Sequence, residues 1–357
     1  MMTSPLFPVP PGTETVQIRI IDTTTRIKKL PVSYLMQPPM EGLIHMPDMP
    51  SWSFLIEHSS GQKLLYDLGV PKAWHLFSPC ILQIIEGSSS ELTVENDVVD
   101  ILNTNGIEAD QISGIIWSHW HFDHVGDPSR FPPSTDLIVG PGFKNAFLPG
   151  YPAIPDSPVR ESDFAGRNLR EIDFSEGVKT GRFRAFDFFG DGSFYLVDTP
   201  GHAVGHLSAL ARTTTSPDTF IFLGGDLCHH SGEIRPSRHM PLPADLPAAI
   251  PATAWPCPGA EIYRKMLLQR NGSADNPFFG PAPMVGVDIE ETTRTIEKAQ
   301  DADAESNIWF IYAHDTSLIG TVDLFPLPAN DWRKKDWRRR TLWTFLRDFD
   351  TAITLQK

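Results

Sequence analysis

Four residues with metal-binding side chains lie within one six-residue stretch of the chain. They are His119, His121, Asp123 and His124, interleaved with two aromatic residues. Neutral imidazoles suit zinc, and a neighbouring carboxylate can complete a hydrolytic site. Clustering this tight is rarely accidental on a solvated loop. The stretch therefore predicts a metal site with hydrolytic chemistry.

Apolar runs that end at ligand-type residues indicate how such a site is positioned. The run 114–117, directly before the cluster, is short and rich in isoleucine and tryptophan, which predicts a buried strand. Three later runs repeat the pattern, and we expect the ends of all four strands to supply one site. These runs are 195–198 before His202, 220–225 before Asp226, and 308–313 before His314.

Taken in order, these residues resemble the signature of the metallo-β-lactamase superfamily. That signature is His-x-His-x-Asp-His, followed by a distal His, a distal Asp and a last His. The matching residues are His119, His121, Asp123 and His124, then His202, Asp226 and His314. Asp67 ends a strand-like run that looks like the family's early Asp-x-Gly, where the carboxylate supports the site from behind. The resemblance covers roughly residues 50 to 320.

The resemblance implies an α/β fold, a four-layer αβ/βα sandwich with metals in a groove at one edge of its two sheets. It also implies two metal ions, expected to be Zn²⁺, although Mn²⁺ or Fe²⁺ also accept such ligands. One ion would be held by His119, His121 and His202, the other by Asp123, His124 and His314, with Asp226 bridging both. Such a pair supplies hydroxide at neutral pH, and Asp123 would pass a proton to the leaving group.

Residues around the bridging position indicate a branch of the superfamily. Asp226 stands where zinc β-lactamases commonly place Cys, although Cys228 keeps a thiolate ligand open as an alternative. The segment 199–206 looks most like lactonases that open homoserine-lactone-type rings. Those enzymes usually place a Tyr three residues after the bridging Asp, whereas this chain has His229. We expect His229 or His230 to replace that donor, the alternative being that both merely pack or face solvent.

Three functions are compatible with this site. The leading one is a hydrolase that opens a cyclic ester or amide. A thioesterase that releases an acyl or polyketide chain is the alternative, and a non-catalytic metal-binding protein is the third. We expect the groove to be walled by segments 71–90 (Trp74, Phe77, Ile81) and 144–165 (Phe147, Tyr151) and by a Pro-rich insertion at 231–258. Such walls favour a small apolar or aromatic lactone or lactam as substrate.

Composition limits the remaining classes. The chain has 357 residues, 41% of them hydrophobic, and we expect one domain over 1–357. A net charge of −14 disfavours nucleic-acid binding. No apolar run approaches the ~18 residues of a membrane span, and the first residues lack a basic region, so a cytoplasmic protein is expected. The three cysteines fit a reducing compartment, although one disulfide stays open.

Two terminal segments have patterns of their own. Residues 1–16 are Pro-rich and predict an N-terminal arm. In 333–349, a basic run leads into apolar residues at helical spacing, which predicts an amphipathic C-terminal helix docked on the body, a membrane or acidic partner being the alternative. The arm and the insertion could pack on a second subunit, so a homodimer is one expectation.

Overall fold

The computed structural model describes residues 5–246 and 257–355. Its strands are β1 Val16–Lys28, β2 Met36–Gln37, β3 Met49–His58, β4 Lys63–Tyr66, β5 Glu91–Thr93, β6 Gly114–Ile116, β7 Asp136–Val139, β8 Leu169–Glu171, β9 Val178–Thr180, β10 Phe183–Asp187, β11 Phe194–Asp198, β12 Leu207–Thr215, β13 Asp218–Leu223, β14 Gly280–Pro281 and β15 Ile308–Ile311. Its α-helices are α1 Val32–Leu35, α2 Pro79–Gly87, α3 Val98–Thr104, α4 Phe122–Val125, α5 Phe143–Phe147, α6 Glu161–Phe164, α7 Ala260–Asn271, α8 Ile289–Ala304, α9 Trp337–Thr341 and α10 Asp350–Leu355.

Most strands belong to two large sheets. The first has the order β5-β1-β3-β4-β6-β7-β8 and the second the order β15-β13-β12-β11-β10-β9, while β14 pairs with β2. Strands β4, β6, β7 and β8 are parallel neighbours, and so are β13 and β15. Parallel neighbours end at the same edge of a sheet, so the residues that follow these strands are brought to one side of the molecule.

Side-chain alternation along the strands builds the layers. In β13, Ile221 and Leu223 face the core between the two sheets, whereas Phe220 and Phe222 face outward and pack with residues of α8. Successive side chains of a strand point to opposite faces, so both faces of this buried strand are apolar. Residues of α2, α3 and α5 cover the outer face of the first sheet in the same way. The predicted four-layer αβ/βα sandwich is confirmed.

The predicted C-terminal helix over 333–349 is wrong in its extent. The helix α9 is short, Thr344–Phe349 form a 3₁₀ turn, and α10 follows. Trp343, with φ −116° and ψ 6°, interrupts the helical backbone. Apolar residues of the turn, including Phe345 and Phe349, are buried against α7 and its neighbours, so tertiary packing overrides the helical periodicity.

The N-terminal arm is ordered against the body in its described part. Val16 already belongs to β1, so the arm ends one residue earlier than expected. Phe7 is 2% exposed, and its ring meets that of Phe222 edge-on at 6.0 Å. The described arm therefore covers part of the outer face of the second sheet, while residues 1–4 of the expected arm lie outside the described residues.

The expected Pro-rich insertion is described only in part. Its residues 231–246 hold a 3₁₀ turn, Ser231–Glu233, and a bridge between Ser237 and Met240. Residues 247–256 lie outside the described residues. In the described part of the chain, no helix is both long enough and apolar enough to cross a membrane.

Candidate metal centre

The seven residues that the sequence selects as metal ligands meet at the edge where the parallel strands end. Within each of two groups, the candidate ligand atoms all lie within 4.8 Å of one another. The first group is His119, His121, His202 and Asp226, and the second is Asp123, His124, Asp226 and His314. Asp226 belongs to both groups, which matches the bridging position expected for it.

In the first group, three imidazole nitrogens face one another. Nε2 of His202 lies 3.1 Å from Nε2 of His119 and 3.0 Å from Nδ1 of His121. Oδ2 of Asp226 lies 3.7 Å from Nε2 of His119 and 3.6 Å from Nε2 of His202. Ligand atoms of a tetrahedral zinc ion with bonds of 2.0–2.1 Å would lie about 3.3 Å apart. The spacing therefore fits one such ion.

In the second group, two imidazoles and two carboxylates converge. Nε2 of His124 lies 3.2 Å from Oδ2 of Asp226, and Nε2 of His314 lies 3.2 Å from its Oδ1. Oδ1 of Asp123 lies 3.8 Å from Nε2 of His124, and Oδ2 of Asp123 lies 3.5 Å from Nε2 of His314. Oδ2 of Asp226 lies within 3.7 Å of histidine nitrogens of both groups, which is consistent with a carboxylate shared between them.

Contacts behind the histidines orient the ring nitrogens. Nδ1 of His124 donates to Oδ2 of Asp67 at 2.9 Å, and Nδ1 of His314 donates to the carbonyl oxygen of Pro50 at 2.7 Å. Nδ1 of His119 is 3.0 Å from the hydroxyl of Ser118. A proton held on Nδ1 leaves the lone pair of Nε2 directed into the cluster, which is the tautomer a metal ligand needs.

The electrostatics of the cluster favour a bound cation. Burial lowers the pKa of His119 and of His202 well below the usual value, so both imidazoles are neutral. Burial acts in the same direction on His124, but the carboxylates of Asp226, Asp123 and Asp67 outweigh it and raise its pKa well above the usual value. These three carboxylates favour a positive charge beside them, and a bound dication would provide it.

Unpaired polar atoms lead to the same conclusion. Nε2 of His124 and Oδ1 of Asp226 are buried and have no hydrogen-bond partner among residues 5–246 and 257–355. Buried polar atoms without partners are costly, at about 1–3 kcal/mol each. Metal ions bound between the two groups would satisfy both atoms, so the residues present fit the metal ions implied by the resemblance.

The backbone of Asp226 is held by His206, a buried histidine outside both ligand groups. Nε2 of His206 accepts the backbone N–H of Asp226 at 3.0 Å, and its Nδ1 donates to the carbonyl oxygen of Thr199 at 2.9 Å. Burial lowers the pKa of His206 to about 4, which keeps this acceptor unprotonated. Gly225 precedes Asp226 with φ +56°, and an added Cβ would lie 2.9 Å from the His206 ring. The positive φ and the close approach of the His206 ring therefore both require glycine at position 225.

We expect Asp67→Asn to weaken metal binding about 10–100-fold, the usual range for loss of a contact behind a ligating histidine. Asp67 has φ +59°, which Asn tolerates well, and its Oδ1 accepts the backbone N–H of Ser118 at 2.6 Å. The amide can keep that bond but loses the charge beside His124. Competition with a chromophoric chelator measures the affinity. Exposed Asp110→Asn is the control, and equal affinity for both variants would contradict the role of Asp67.

The two histidines offered as substrate donors have different environments. His229 lines the cavity above the cluster, and its Nε2 lies 3.4 Å from Oδ2 of Asp226. His230 instead lies 3.2 Å from a carboxylate oxygen of Asp348 and packs among phenylalanine rings that include Phe345. Only His229 of the two reaches the candidate site.

Cys228 is not near enough to serve as the alternative thiolate ligand. It is fully buried in the apolar cluster on the outer face of the second sheet, with Phe222 and Tyr312. Burial raises the pKa of its thiol well above the usual value. The chain leaves β13 in a turn, so Asp226 reaches the metal cluster while Cys228, two residues on, packs on the opposite side of the sheet. In the described part of the chain all three cysteines are free thiols.

A cavity of about 390 Å³ opens onto the cluster, and its walls are in part those expected. Segment 71–90 lines it as expected, although of its named residues only Ile81 does so, whereas segment 144–165 does not line it. Phe77 and Phe147 are buried in the core below, and the described part of the Pro-rich insertion does not contribute. The sequence analysis missed two walls, the segment from β1 to α1 and the loop 284–287. Their apolar residues carry no local signal that separates pocket from core.

Comparisons with known proteins agree with this geometry. The profile of the metallo-β-lactamase superfamily matches residues 46–215. Gamma-lactamase FDB1 of Fusarium pseudograminearum is 44% identical over 96% of this chain and 84% of its own length. Metallo-hydrolase mfmC of Annulohypoxylon moriforme is 44% identical over 99% of this chain and 94% of its own length.

A solved N-acyl homoserine lactone hydrolase, with the product N-hexanoyl-L-homoserine at its catalytic metal centre, shares the fold. Its TM-score is 0.56 at 17% identity, and the match covers 88% of this chain and 100% of that one.

The chain belongs to the metallo-β-lactamase superfamily. Within that superfamily it is a metal-dependent hydrolase, so the predicted class of enzyme is confirmed. The family and the cluster together indicate bound metal ions, without fixing their number or element.

Proposed function

We propose that this protein opens the ring of a lactone or lactam and that two Zn²⁺ ions bound by its seven His and Asp ligands support the reaction. The observation that carries the proposal is the complete ligand set beside an apolar cavity that five of these ligands line. The relative named gamma-lactamase supports the cyclic amide, and the relative named metallo-hydrolase supports hydrolysis with metal.

The ligands divide between the ions as the two groups divide. His119, His121 and His202 would hold one ion and Asp123, His124 and His314 the other, and Asp226 would contribute to both. Two such ions, when bound, would provide hydroxide at neutral pH and polarise the carbonyl group under attack. Asp123 is 7% exposed and lines the cavity, so its carboxylate can carry a proton to the leaving oxygen or nitrogen.

His229 is proposed as the hydrogen-bond donor to the substrate carbonyl oxygen. It lines the cavity on the cluster side, and its ring lies 4.9 Å from that of His202 and 6.0 Å from that of His314. The carboxylate of Glu233 accepts the backbone N–H of His229 at 2.6 Å, which anchors the residue. A donor held rigidly at a developing oxyanion needs no reorganisation during the reaction.

We expect His229→Ala to lower kcat/KM by about 10²–10³, the usual cost of losing one oxyanion donor. Metal content should stay at the parental value, because His229 belongs to neither ligand group. Ring-opening kinetics and metal analysis on the same preparation measure both quantities. His230→Asn is the matched control, since its ring points away from the cavity. An unchanged kcat/KM for His229→Ala would show that the donor role is wrong.

The cavity distinguishes the lactone or lactam from the thioester alternative. Among the described residues that line it, no lysine or arginine is present. A coenzyme A thioester brings several phosphate charges, which need cationic partners near the entrance. The apolar walls instead fit a compact, uncharged ring system. This observation favours ring opening over release of an acyl chain.

One experiment tests the proposed function as a whole. Metal content per chain would be measured alongside hydrolysis of an acyl-homoserine lactone, an aromatic γ-lactone, a lactam or cyclic carbamate, and an acyl thioester. Two equivalents of zinc together with ring opening would support the proposal. Thioester cleavage alone would replace it with the alternative, and a metal-free chain without turnover would overturn the site.

A further inference from the structure

Three large apolar side chains are exposed although they line the cavity that holds the metal cluster. Met284 is 80% exposed, Val287 is 67% exposed and Ile84 is 45% exposed. We call these three residues the apolar rim. Isolated apolar residues on a surface need no explanation, but several around one cavity mouth indicate a surface that a ligand covers.

The apolar rim has two sides. Ile84 lies on α2, whose buried residues Ile81 and Ile85 line the same cavity deeper down. Met284 and Val287 lie in the loop before α8. The two sides therefore belong to separate elements that converge on one cavity, and apolar surface continues from its depth to its mouth.

The loop that carries Met284 and Val287 is hydrogen-bonded to the backbone of His202, a candidate metal ligand. The backbone N–H of Val287 donates to the carbonyl oxygen of His202 at 3.2 Å, and that of Asp288 donates to the carbonyl oxygen of Gly201 at 3.0 Å. Gly286 permits the close approach, since a Cβ there would lie 3.0 Å from the carbonyl oxygen of Gly201. The loop side of the rim is thus held beside His202 by backbone hydrogen bonds.

We propose that the apolar rim selects lactones or lactams whose ring carries an uncharged apolar substituent that extends to the cavity mouth. The inference rests on the proposed function and names the substrate class of the same site. The ring would lie at the metal cluster and the substituent between Ile84 on one side and Met284 and Val287 on the other. Covering these side chains removes apolar surface from water, and a charged substituent would find no lysine or arginine among the described lining residues.

The test compares three substrates that share one five-membered lactone ring. The first is unsubstituted, the second carries a hexyl chain, and the third carries a chain of equal length that ends in a carboxylate. The parent should prefer the hexyl lactone over both others. Each buried methylene contributes about 0.8 kcal/mol, so contact with two or three of them gives a preference on the order of ten- to hundredfold in kcat/KM.

Rim variants locate the source of that preference. In Met284→Ser and Val287→Ser, the ratio of kcat/KM for the hexyl lactone over the unsubstituted lactone should fall about three- to tenfold, mainly through KM. Leu327→Ser is the matched control, because Leu327 is 53% exposed but does not line the cavity. Its ratio should equal that of the parent. A ratio that is unchanged in the rim variants, or a parent that prefers the carboxylate chain, would overturn the inference.

The remaining outcomes are also distinguishable. If the parent opens none of the three rings, the proposed function fails and the selectivity inference fails with it. If ring opening proceeds without substituent preference, the proposed function stands and the inference alone is wrong. Sedimentation at assay concentration tests whether a second copy of the chain, rather than a substrate, covers the apolar rim. A parent that dimerises and a Met284→Ser variant that does not would assign the rim to a subunit interface and overturn the inference.

Discussion

Asp226→Asn should lower kcat/KM for ring opening by more than about 10³-fold, because losing a single electrostatic stabiliser already costs about 10²–10³. The side chain keeps its size but loses the charge that both ligand groups share. His124 and His314 lie 3.2 Å from its two oxygens, so an amide would present an N–H group to one of them. Metal stoichiometry should fall together with activity.

The control for this variant is another buried aspartate outside the cluster. Asp163 is 2% exposed and accepts from the Arg160 side chain at 2.6 Å. Asp163→Asn should lose some stability through this pair but retain the parental metal content and kcat/KM. Equal metal stoichiometry in Asp226→Asn and the parent would contradict the bridging role. A parallel loss in both variants would show that general unfolding is the cause.

Removal of the metal should abolish turnover and lower the melting temperature together. Five imidazoles, three with lowered and two with raised pKa values, are packed against the carboxylates of the cluster, and burial leaves the contacts without water to screen them. Metals that bind only the folded chain stabilise it by about 4 kcal/mol at a concentration 1,000 times their Kd. At about 2–4 °C per kcal/mol for chains of 150–250 residues, a shift on the order of 10 °C is expected.

Thermal unfolding with and without a chelator measures this shift, and stepwise return of Zn²⁺, Mn²⁺ or Fe²⁺ identifies the metal that restores activity. The chelator should leave the melting temperature of Asp226→Asn nearly unchanged, since that variant has little metal to lose. A parent whose stability and turnover are indifferent to chelation would contradict a metal-dependent mechanism. Recovery by one equivalent of metal would reduce the proposed pair to a single ion.

The metal ligands could be selected from the sequence because each follows a strand with a strong local signal. The runs before His119, Asp226 and His314 are apolar enough to be buried strands whatever surrounds them. Their order along the chain and the His-x-His-x-Asp-His spacing are local facts as well. Asp67 is selected through the resemblance of its segment to the family's early strand, and the structure places its carboxylate 2.9 Å from Nδ1 of His124.

The cavity walls could not be selected in the same way. Phe77 and Ile81 come from one segment and are both buried in the same core cluster, yet only Ile81 also lines the cavity. Met284 and Val287 lie some 80 residues after His202 in the sequence, and only the packing of their loop on Gly201 brings them to the site. Burial in a core and contact with a ligand both demand apolar side chains, so composition does not distinguish them.

The sequence by itself thus determined the seven candidate ligands, because strand burial and ligand chemistry depend on neighbouring residues, while its resemblance to the metallo-β-lactamase superfamily implied the four-layer fold class and the supporting Asp67. Tertiary structure alone decided that His229 rather than His230 faces the cavity, that Cys228 points away from the cluster, and that the predicted helix over 333–349 is interrupted. Each of these outcomes depends on which distant surface a side chain meets. Phe345 and its neighbours bury their rings against α7, and the free energy of that burial outweighs the preference of a short segment for continuous helix.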